Sequence, residues 1–176
     1  YKDAGLDVEI LQGNALNPPV NTVLRGKADF GVTGSDILNS FINKEPVVVV
    51  SVIFQHSPYV FMTLSDRKIN SPSDLAGKTI MASEDQGGKL LKALLLDEGI
   101  PIDSVKIIDH SWQIQDLVNG KADAQSAYLT VEPQIMRKMG HQVSLINPIN
   151  YGIDFYGDLL FTTVKMANSH PRLVEK

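Results

Sequence analysis

The chain contains no cysteine among its 176 residues. This absence excludes a disulfide framework, a thiolate zinc site and a cysteine nucleophile. Strong charge of one sign is also missing, because the net charge is −4 and the basic residues are scattered singly. The electrostatic pattern of a nucleic-acid-binding protein is therefore excluded. No apolar run approaches the roughly 20 residues that a membrane span requires.

Arginine is scarce, and every arginine is predicted to lie at a helix end or a surface turn: Arg25, Arg67, Arg137 and Arg172. A site for a sulfonate or a phosphate normally uses an inward-pointing guanidinium. The distribution of arginine therefore argues against a strongly anionic ligand. The hydrophobic share of 43% and the charged share of 20% are ordinary for a globular protein.

The tetrapeptide Gly-Lys-Ala-Asp occurs twice, beginning at Gly26 and at Gly120. In each copy an apolar helical segment precedes the tetrapeptide and a short run of small residues follows it. The glycine tolerates the left-handed conformation that ends a helix, and the lysine lies where the helix dipole favours a cation. The repeat predicts two α/β lobes built on one plan, enclosing a cleft for a small ligand.

Strand-like and helix-like segments alternate along the whole chain, which predicts an α/β protein with mainly parallel sheets. Residues 7–12 alternate polar and apolar side chains and are predicted to form a strand. Residues 47–54 are apolar and mostly β-branched except for Ser51, a pattern that predicts a strand buried on both faces. Residues 112–118 are predicted to form the helix before the second Gly-Lys-Ala-Asp.

Ligands of α/β proteins bind beyond the carboxyl ends of the strands. This rule selects five loops that follow predicted strands: 33–36, 55–58, 84–88, 126–132 and 151–154. In one of them, Gln86-Gly87-Gly88 precedes a helix and could present backbone N–H groups to an anion or a carbonyl. A plain strand-to-helix turn explains the same residues equally well.

Three carboxylates lie on these loops: Asp36, Glu132 and Asp154. Such groups can perform acid–base chemistry, accept hydrogen bonds from an amino-bearing ligand, or stabilise helix starts. Asp154 has aromatic neighbours, a combination that suits a flat, nitrogen-bearing ring. The residues available for stacking are Tyr128, Tyr151, Tyr156 and Trp112, although each could instead pack in a core.

The histidines are isolated in the sequence. His56 and His110 each follow a predicted strand, where a lone histidine is more often structural than catalytic. No two histidines have the spacing of metal ligands, and neither Ser57 nor Ser126 lies in a Gly-x-Ser-x-Gly elbow. The sequence therefore predicts no catalytic residue, no metal and no cofactor.

Four segments together resemble one family: 1–8 (Tyr-Lys-Asp-Ala-Gly-Leu-Asp-Val), 26–33 (Gly-Lys-Ala-Asp-Phe-Gly-Val-Thr), 73–79 (Ser-Asp-Leu-Ala-Gly-Lys-Thr) and 127–133 (Ala-Tyr-Leu-Thr-Val-Glu-Pro). They are similar to the thiamine-pyrimidine-precursor-binding family of type II periplasmic binding proteins, which is related to the aliphatic-sulfonate-binding proteins. The segments 55–58 and 151–158 resemble the branch used as extracytoplasmic sensor modules of histidine kinases and diguanylate cyclases. That branch also includes free-standing transport receptors.

The resemblance implies an α/β, two-lobed type II periplasmic-binding-protein fold with two hinge crossings, near residues 59–65 and 148–155. Lobe one would comprise residues 1–60 and 155–176, and lobe two residues 61–154. Both chain ends are expected to be truncated, and the family's first strand, which supplies part of its pocket, would be missing. Family members that act as enzymes use a cysteine-rich motif with iron, so the absence of cysteine argues against that activity.

We therefore expect a non-enzymatic solute-binding protein or sensor domain that captures a small polar heteroaromatic ligand, such as a thiamine-related pyrimidine, in the interlobe cleft. An ABC transporter permease or a fused kinase or cyclase domain would be its partner, and the location would be periplasmic or extracytoplasmic. The expected ligand-binding residues are Thr33, Ser35, Asp36, Gln55, His56, Gly87, Gly88, Tyr128, Glu132, Tyr151 and Asp154. The alternatives are an enzyme using carboxylate or His56 acid–base chemistry, and an interaction module without a ligand.

Overall fold

The computed structural model describes residues 1–13, 18–83 and 86–175, and the chain divides into two compact units. Unit 1 comprises Tyr1–Gln55 and Tyr156–Lys176, and unit 2 comprises His56–Phe155. Unit 2 thus begins at His56, whereas the predicted boundary between the lobes lay between residues 60 and 61. The reason is that the strand beginning at Tyr59 hydrogen-bonds to strands of unit 2.

Unit 1 holds a three-stranded sheet and short helices. Its strands are β1 (Phe30–Thr33), β2 (Val47–Val52) and β8 (Leu159–Thr163), and its helices are α1 (Pro19–Leu24), α2 (Ile37–Ile42), α6 (Val164–Ser169), α7 (Pro171–Val174) and a 3₁₀ turn at Lys2–Ala4. The strand order is β1-β8-β2, and β8 pairs antiparallel with both neighbours. A core of Val23, Ile37, Val47, Leu159 and Phe161 packs against this sheet.

Unit 2 holds a five-stranded sheet in the order β5-β4-β6-β3-β7. Its strands are β3 (Tyr59–Leu64), β4 (Thr79–Met81), β5 (Lys106–Ile108), β6 (Ala124–Tyr128) and β7 (Val143–Ile146). Its helices are α3 (Gln86–Asp97), α4 (Gln115–Val118), α5 (Glu132–Lys138) and four 3₁₀ turns at Ser65–Arg67, Pro72–Leu75, Ile102–Ser104 and Pro148–Tyr151.

Both faces of the unit 2 sheet are covered, as the alternation along β3 shows. Phe61 belongs to the core cluster that contains Leu91 and Leu94 of α3, whereas its neighbours Val60 and Met62 belong to the cluster on the other face. Successive side chains of a strand point to opposite faces. Burial on both faces therefore makes β3 apolar over most of its length.

The prediction of mainly parallel sheets is wrong for the described strands. Only β4–β5 and β4–β6 run parallel, whereas β3 and β8 pair antiparallel with each of their neighbours. Alternation of helices and strands specifies the layers, but the direction of a strand depends on the end from which the chain enters the sheet. That entry point is a property of the three-dimensional path.

Three local predictions also differ from the structure. Residues 6–13 form neither helix nor strand, and Val8, Ile10 and Leu11 are exposed, because no strand of the described chain pairs with them. In β2, Val47 is buried but Ser51 is exposed, so the strand is not buried on both faces along its whole length. The helix predicted over 112–118 begins only at Gln115.

Both Gly-Lys-Ala-Asp corners end a helix as the sequence predicts. Gly26 follows α1 with φ +66°, and Gly120 follows α4 with φ +76°. The backbone N–H of Gly26 donates to the carbonyl of Val23, and that of Gly120 donates to the carbonyl of Leu117. The left-handed glycines allow the chain to turn out of each helix toward the next strand.

Within the described ranges, no helix has the length and apolar character needed to cross a membrane. Residues 84 and 85 of the predicted loop 84–88 lie outside the described residues.

Candidate functional site

The carboxyl ends of β4, β5 and β6 lie side by side in unit 2, because these three strands are parallel. His110, two residues beyond β5, links two of these ends. Its Nε2 atom lies 2.9 Å from the carbonyl oxygen of Ser126 in β6, and its Nδ1 atom accepts the backbone N–H of Trp112 at 3.0 Å. A carbonyl oxygen can only accept, so Nε2 carries the proton and the imidazole is the neutral Nε2–H tautomer.

Two glycines bring the start of α3 close to the same strand ends. A Cβ atom on Gly87 would lie 2.9 Å from the Ser126 hydroxyl oxygen, and one on Gly88 would lie 2.5 Å from the carbonyl oxygen of Ser83. The backbone N–H of Gly88 already donates to that carbonyl at 2.6 Å. Gly88 was predicted to donate its N–H to a ligand, but this N–H is hydrogen-bonded to the Ser83 carbonyl. The absence of a side chain at Gly88 lets the Ser83 carbonyl approach the backbone closely.

Tyr128 and Glu132 form a compact group at the carboxyl end of β6. The Oε2 atom of Glu132 accepts the backbone N–H of Tyr128 at 2.8 Å. The rings of Tyr128 and Tyr59 meet edge to face, with centroids 4.8 Å apart. Glu132 is also the first residue of α5, where a carboxylate is favoured by the helix dipole. The predicted residues Tyr128 and Glu132 are thus in contact. The hydrogen bond to Glu132 holds the Tyr128 backbone, and Tyr59 supports the Tyr128 ring.

Trp112 lies in the loop beyond β5 and was predicted to be helical. Its φ is +60°, and its side chain is stacked on His110 with ring centroids 4.5 Å apart and an interplanar angle of 29°. The residue is nevertheless 68% exposed. The left-handed conformation costs a residue with a side chain about 1–2 kcal/mol. Trp112 was predicted to be available for stacking but is not among the expected ligand-binding residues, and His110 was predicted to be structural.

A polar network supports the segment that follows Trp112. The pKa of Asp116 is lowered, first because Lys121 donates to its carboxylate at 2.8 Å and then because Ser111 donates as well. The hydroxyl of Ser111 also accepts the backbone N–H of Gln113 at 3.2 Å. Lys121, the lysine of the second Gly-Lys-Ala-Asp, thus pairs with Asp116 in α4, the helix that precedes this tetrapeptide.

His56 and Asp154 are 98 positions apart in the chain but adjacent in unit 2. The Nδ1 atom of His56 lies 2.6 Å from the Oδ2 atom of Asp154, and the His56 side chain is 70% exposed. Nearby in sequence, Tyr151 is half-buried and packs against the core cluster that contains Phe61. The structure therefore joins two of the predicted residues in a hydrogen-bonded pair and gives Tyr151 a packing role.

The predicted residues of unit 1 form a separate local group. The hydroxyl of Thr33 donates to the Oδ1 atom of Asp36 at 2.9 Å, and the hydroxyl of Ser35 donates to the carbonyl of Tyr156. Asp36 is the residue that immediately precedes α2. Gln55 is exposed at the end of unit 1.

In the part of the chain that the structure describes, no cluster of three or more histidine or acidic residues has the arrangement of a metal site. The chemistry of the described groups is that of hydrogen bonding and ring stacking. Their donors are backbone N–H and hydroxyl groups, and their acceptors are the carboxylates of Asp36, Glu132 and Asp154.

The fold defined by these two units is that of the type II periplasmic binding proteins. The periplasmic aliphatic sulphonate binding protein SsuA from Escherichia coli superposes with a TM-score of 0.73 at 16% identity, over 89% of this chain and 54% of that one. A sulfonate-binding SsuA protein from Methylobacillus flagellatus KT gives a TM-score of 0.65 at 21% identity, over 88% of this chain and 48% of that one.

A family model described as NMT1/THI5 like matches residues 1–176, and the chain belongs to that family. A curated relative, the formylaminopyrimidine-binding protein of Halalkalibacterium halodurans, is 25% identical over 164 residues. The match covers 91% of this chain and 50% of the relative. The chain thus spans about half the length of the curated relative that it matches.

Proposed function

We propose that the chain is part of an extracytoplasmic solute-binding protein whose ligand is a small amino-substituted heteroaromatic ring of the thiamine-pyrimidine type. Capture of the ligand would serve uptake through an ABC transporter permease or the activation of a fused signalling domain. The name of the pyrimidine-binding relative and the membership of the family support the ligand class.

The observation that carries the proposal is the placement of Glu132 beside Tyr128 at the carboxyl end of β6. A carboxylate has two oxygens and about four acceptor positions, so the bond to the Tyr128 N–H leaves capacity for N–H donors of a ligand. An aminopyrimidine offers such donors in the plane of a flat ring. The tyrosine ring, braced by Tyr59, supplies an aromatic surface beside the acceptor.

Gly87 is the proposed backbone donor at the start of α3, the 12-residue helix that begins at Gln86. Its neighbour Ser126 lies on the same strand as Tyr128 and two residues before it, a separation of roughly 7 Å along a strand. A ring nitrogen or a carbonyl of the ligand is the natural acceptor for such a donor. The unit 1 residues Thr33, Ser35, Asp36 and Gln55 stay predictions as ligand contacts.

A calorimetric and thermal-shift panel tests this function. It contains 4-aminopyrimidine and its substituted forms, thiamine, purines, methanesulfonate and amino acids, with mass spectrometry of every ligand recovered. A ligand present at about 100 times its Kd adds about 2.7 kcal/mol of stability. We expect stabilisation by aminopyrimidines and recovery of the ligand unchanged. Stabilisation by the sulfonate alone would contradict the proposed ligand class.

The output of binding is tested separately. Uptake of a radiolabelled ligand by cells that carry the full-length gene and an ABC transporter permease supports the transport role, whereas ligand-dependent kinase or cyclase activity of the full-length protein supports the sensor role. Fractionation of cells tests the extracytoplasmic location.

The second candidate is an enzyme that uses the His56–Asp154 pair for acid–base chemistry. The 2.6 Å bond between Nδ1 and the carboxylate orients the imidazole and leaves Nε2 to exchange a proton with a substrate. This candidate predicts a changed mass for the bound molecule and loss of turnover in His56→Ala. Recovery of the ligand unchanged after long incubation would contradict it.

A further inference from the structure

We propose that Trp112, seated on His110, is a stacking surface for a planar nitrogen heteroaromatic ring. The inference rests on the proposed function and adds a specificity-determining residue to it. Its observations are independent of Tyr128 and Glu132: an exposed indole, a left-handed backbone and a histidine ring beneath it.

Trp112 occupies a position that general packing does not explain. Among the described residues other than glycine, three have positive φ, and the other two are the lysines Lys44 and Lys68. Both lysines are exposed polar residues that follow a short helix. Trp112 differs from them because it is a large apolar residue, 68% exposed, that holds the same left-handed conformation. Strained residues persist where the surroundings hold them, and they cluster at ligand sites.

The surroundings of Trp112 hold both its backbone and its ring. Its N–H is bound to Nδ1 of His110, and the other nitrogen of His110 is bound to the Ser126 carbonyl. The imidazole is therefore fixed at two points, and its face supports the indole at a centroid distance of 4.5 Å. On the C-terminal side, Ser111 accepts the N–H of Gln113.

The exposed surface of the indole has a definite geometry. One face is stacked on His110, so the exposure arises from the opposite face and the edges. A flat ring placed on that open face would complete a three-layer stack of imidazole, indole and ligand. Because Ser126 anchors His110, the stack begins on the strand that also carries Tyr128.

The chemistry of the indole selects the kind of ring. Tryptophan has the strongest attraction for cations among the aromatic side chains, and its electron-rich face favours electron-poor rings. The acidic residues Asp109 and Asp116 flank the loop in sequence, although Asp116 is paired with Lys121. A protonated or amino-substituted nitrogen heterocycle fits these features, and an aliphatic sulfonate does not.

The test uses 4-aminopyrimidine and thiamine as probes, with methanesulfonate as the non-aromatic comparison. Kd is measured by calorimetry for the parent, Trp112→Ala, Trp112→Phe and His110→Ala, and for Lys68→Gly as a control that relieves positive φ elsewhere. Trp112 is the sole tryptophan of the 176 residues. Its emission, taken as parent minus Trp112→Phe, reports on the stack directly.

We expect the heterocycle to quench the Trp112 emission and to protect it from acrylamide. Trp112→Ala should weaken Kd by about tenfold, Trp112→Phe by less, and Lys68→Gly should leave Kd unchanged. A further variant, Trp112→Gly, serves as the folding control: its Tm should stay within about 3 °C of the parent, because relief of strain offsets the lost stack.

Two results would overturn the inference, and they are distinguishable. Calorimetric binding of a heterocycle with the same Kd in parent and Trp112→Ala, and with unaltered Trp112 emission, refutes the stacking surface and leaves the proposed function intact. Failure of every heterocycle to bind the parent refutes the proposed function and the stacking surface together.

Discussion

The hydroxyl of Thr63 donates to the backbone carbonyl of Asp123 at 2.8 Å, and this bond anchors the second Gly-Lys-Ala-Asp corner to the neighbouring strand. The first corner has the same bond, because the hydroxyl of Thr162 donates to the carbonyl of Asp29 at 2.6 Å. Both threonines are completely buried. Each corner is thus joined to its sheet by a threonine that lies far away in the sequence.

Replacing either threonine with valine is expected to destabilise the protein. Thr63→Val and Thr162→Val keep the branched shape but leave a carbonyl oxygen without its donor, which costs about 1–3 kcal/mol. Urea unfolding measures the change, with the exposed Thr130→Val as the control, for which we expect a change within about 0.5 kcal/mol. Equal stabilities for all three variants would contradict a role of these bonds.

The two glycines at the start of α3 should respond differently to alanine. In Gly88→Ala the new Cβ meets the Ser83 carbonyl at 2.5 Å, and the backbone cannot move aside easily. We expect a loss of about 1–3 kcal/mol. In Gly87→Ala the nearest atom is the Ser126 hydroxyl, which can rotate, so the loss should be smaller. A thermal melt that ranks Gly87→Ala as the less stable variant would contradict this assignment.

Asp74 should make stability depend on pH in the acidic range. Its pKa is lowered from 3.8 because the backbone N–H of Asn70 donates to it first, followed by the hydroxyl and the N–H of Ser71. A carboxyl whose pKa is lower in the folded state stabilises the protein above its unfolded pKa. That contribution is lost as the pH falls through the folded pKa.

Melts of the parent and of Asp74→Asn at several pH values test this dependence. We expect a constant difference in Tm above the ordinary pKa of 3.8. The difference should shrink as the pH falls below that value. A difference that is the same at every pH would show that Asp74 does not contribute through its charge.

Glu132 is expected to affect binding and stability through different atoms. Glu132→Gln retains an oxygen that can accept the Tyr128 N–H, so the fold should keep its stability. The same variant loses the charge that would bind ligand N–H groups. Glu132→Ala should weaken aminopyrimidine binding by more than tenfold, about 1.5–3 kcal/mol. Calorimetry with an unchanged Kd in a folded Glu132→Ala protein would remove Glu132 from the site.

Asp154, which pairs with His56, is the second carboxylate whose contact with the ligand can be tested. Asp154→Ala leaves His56 without its partner but should cost little stability, because exposed pairs contribute about 0–1 kcal/mol. If Asp154 contacts the ligand, Kd weakens by about tenfold or more. A double-mutant cycle with His56→Ala then measures the coupling of the two residues in binding, and additive effects would show that they act separately.

Local chemistry explains most of what could be predicted. The helix ends at Gly26 and Gly120 follow from the conformational freedom of glycine, which acts within a few residues. The strand β2 was found because the β-branched residues of its run are typical of strands. The family resemblance was predicted from short segments in colinear order, and the family model that matches residues 1–176 confirms it.

Interactions between distant residues explain the predictions that failed. Residues 7–12 have the alternation of a strand, but a strand needs a hydrogen-bonding partner, which no described residue supplies. The segment after β5 has a helical pattern, yet Trp112 adopts a left-handed conformation because His110 binds its N–H and supports its ring.

The sequence by itself determined the class of fold, the two repeated corners and the residue types available for binding, since these depend on neighbours within a few positions. The tertiary structure alone decided the strand directions and the pairing of His56 with Asp154. It also decided that Trp112 stacks on His110 and that the Gly88 N–H bonds to the Ser83 carbonyl. These features arise from contacts that chain folding creates, and no local pattern of side chains encodes the distance between their atoms.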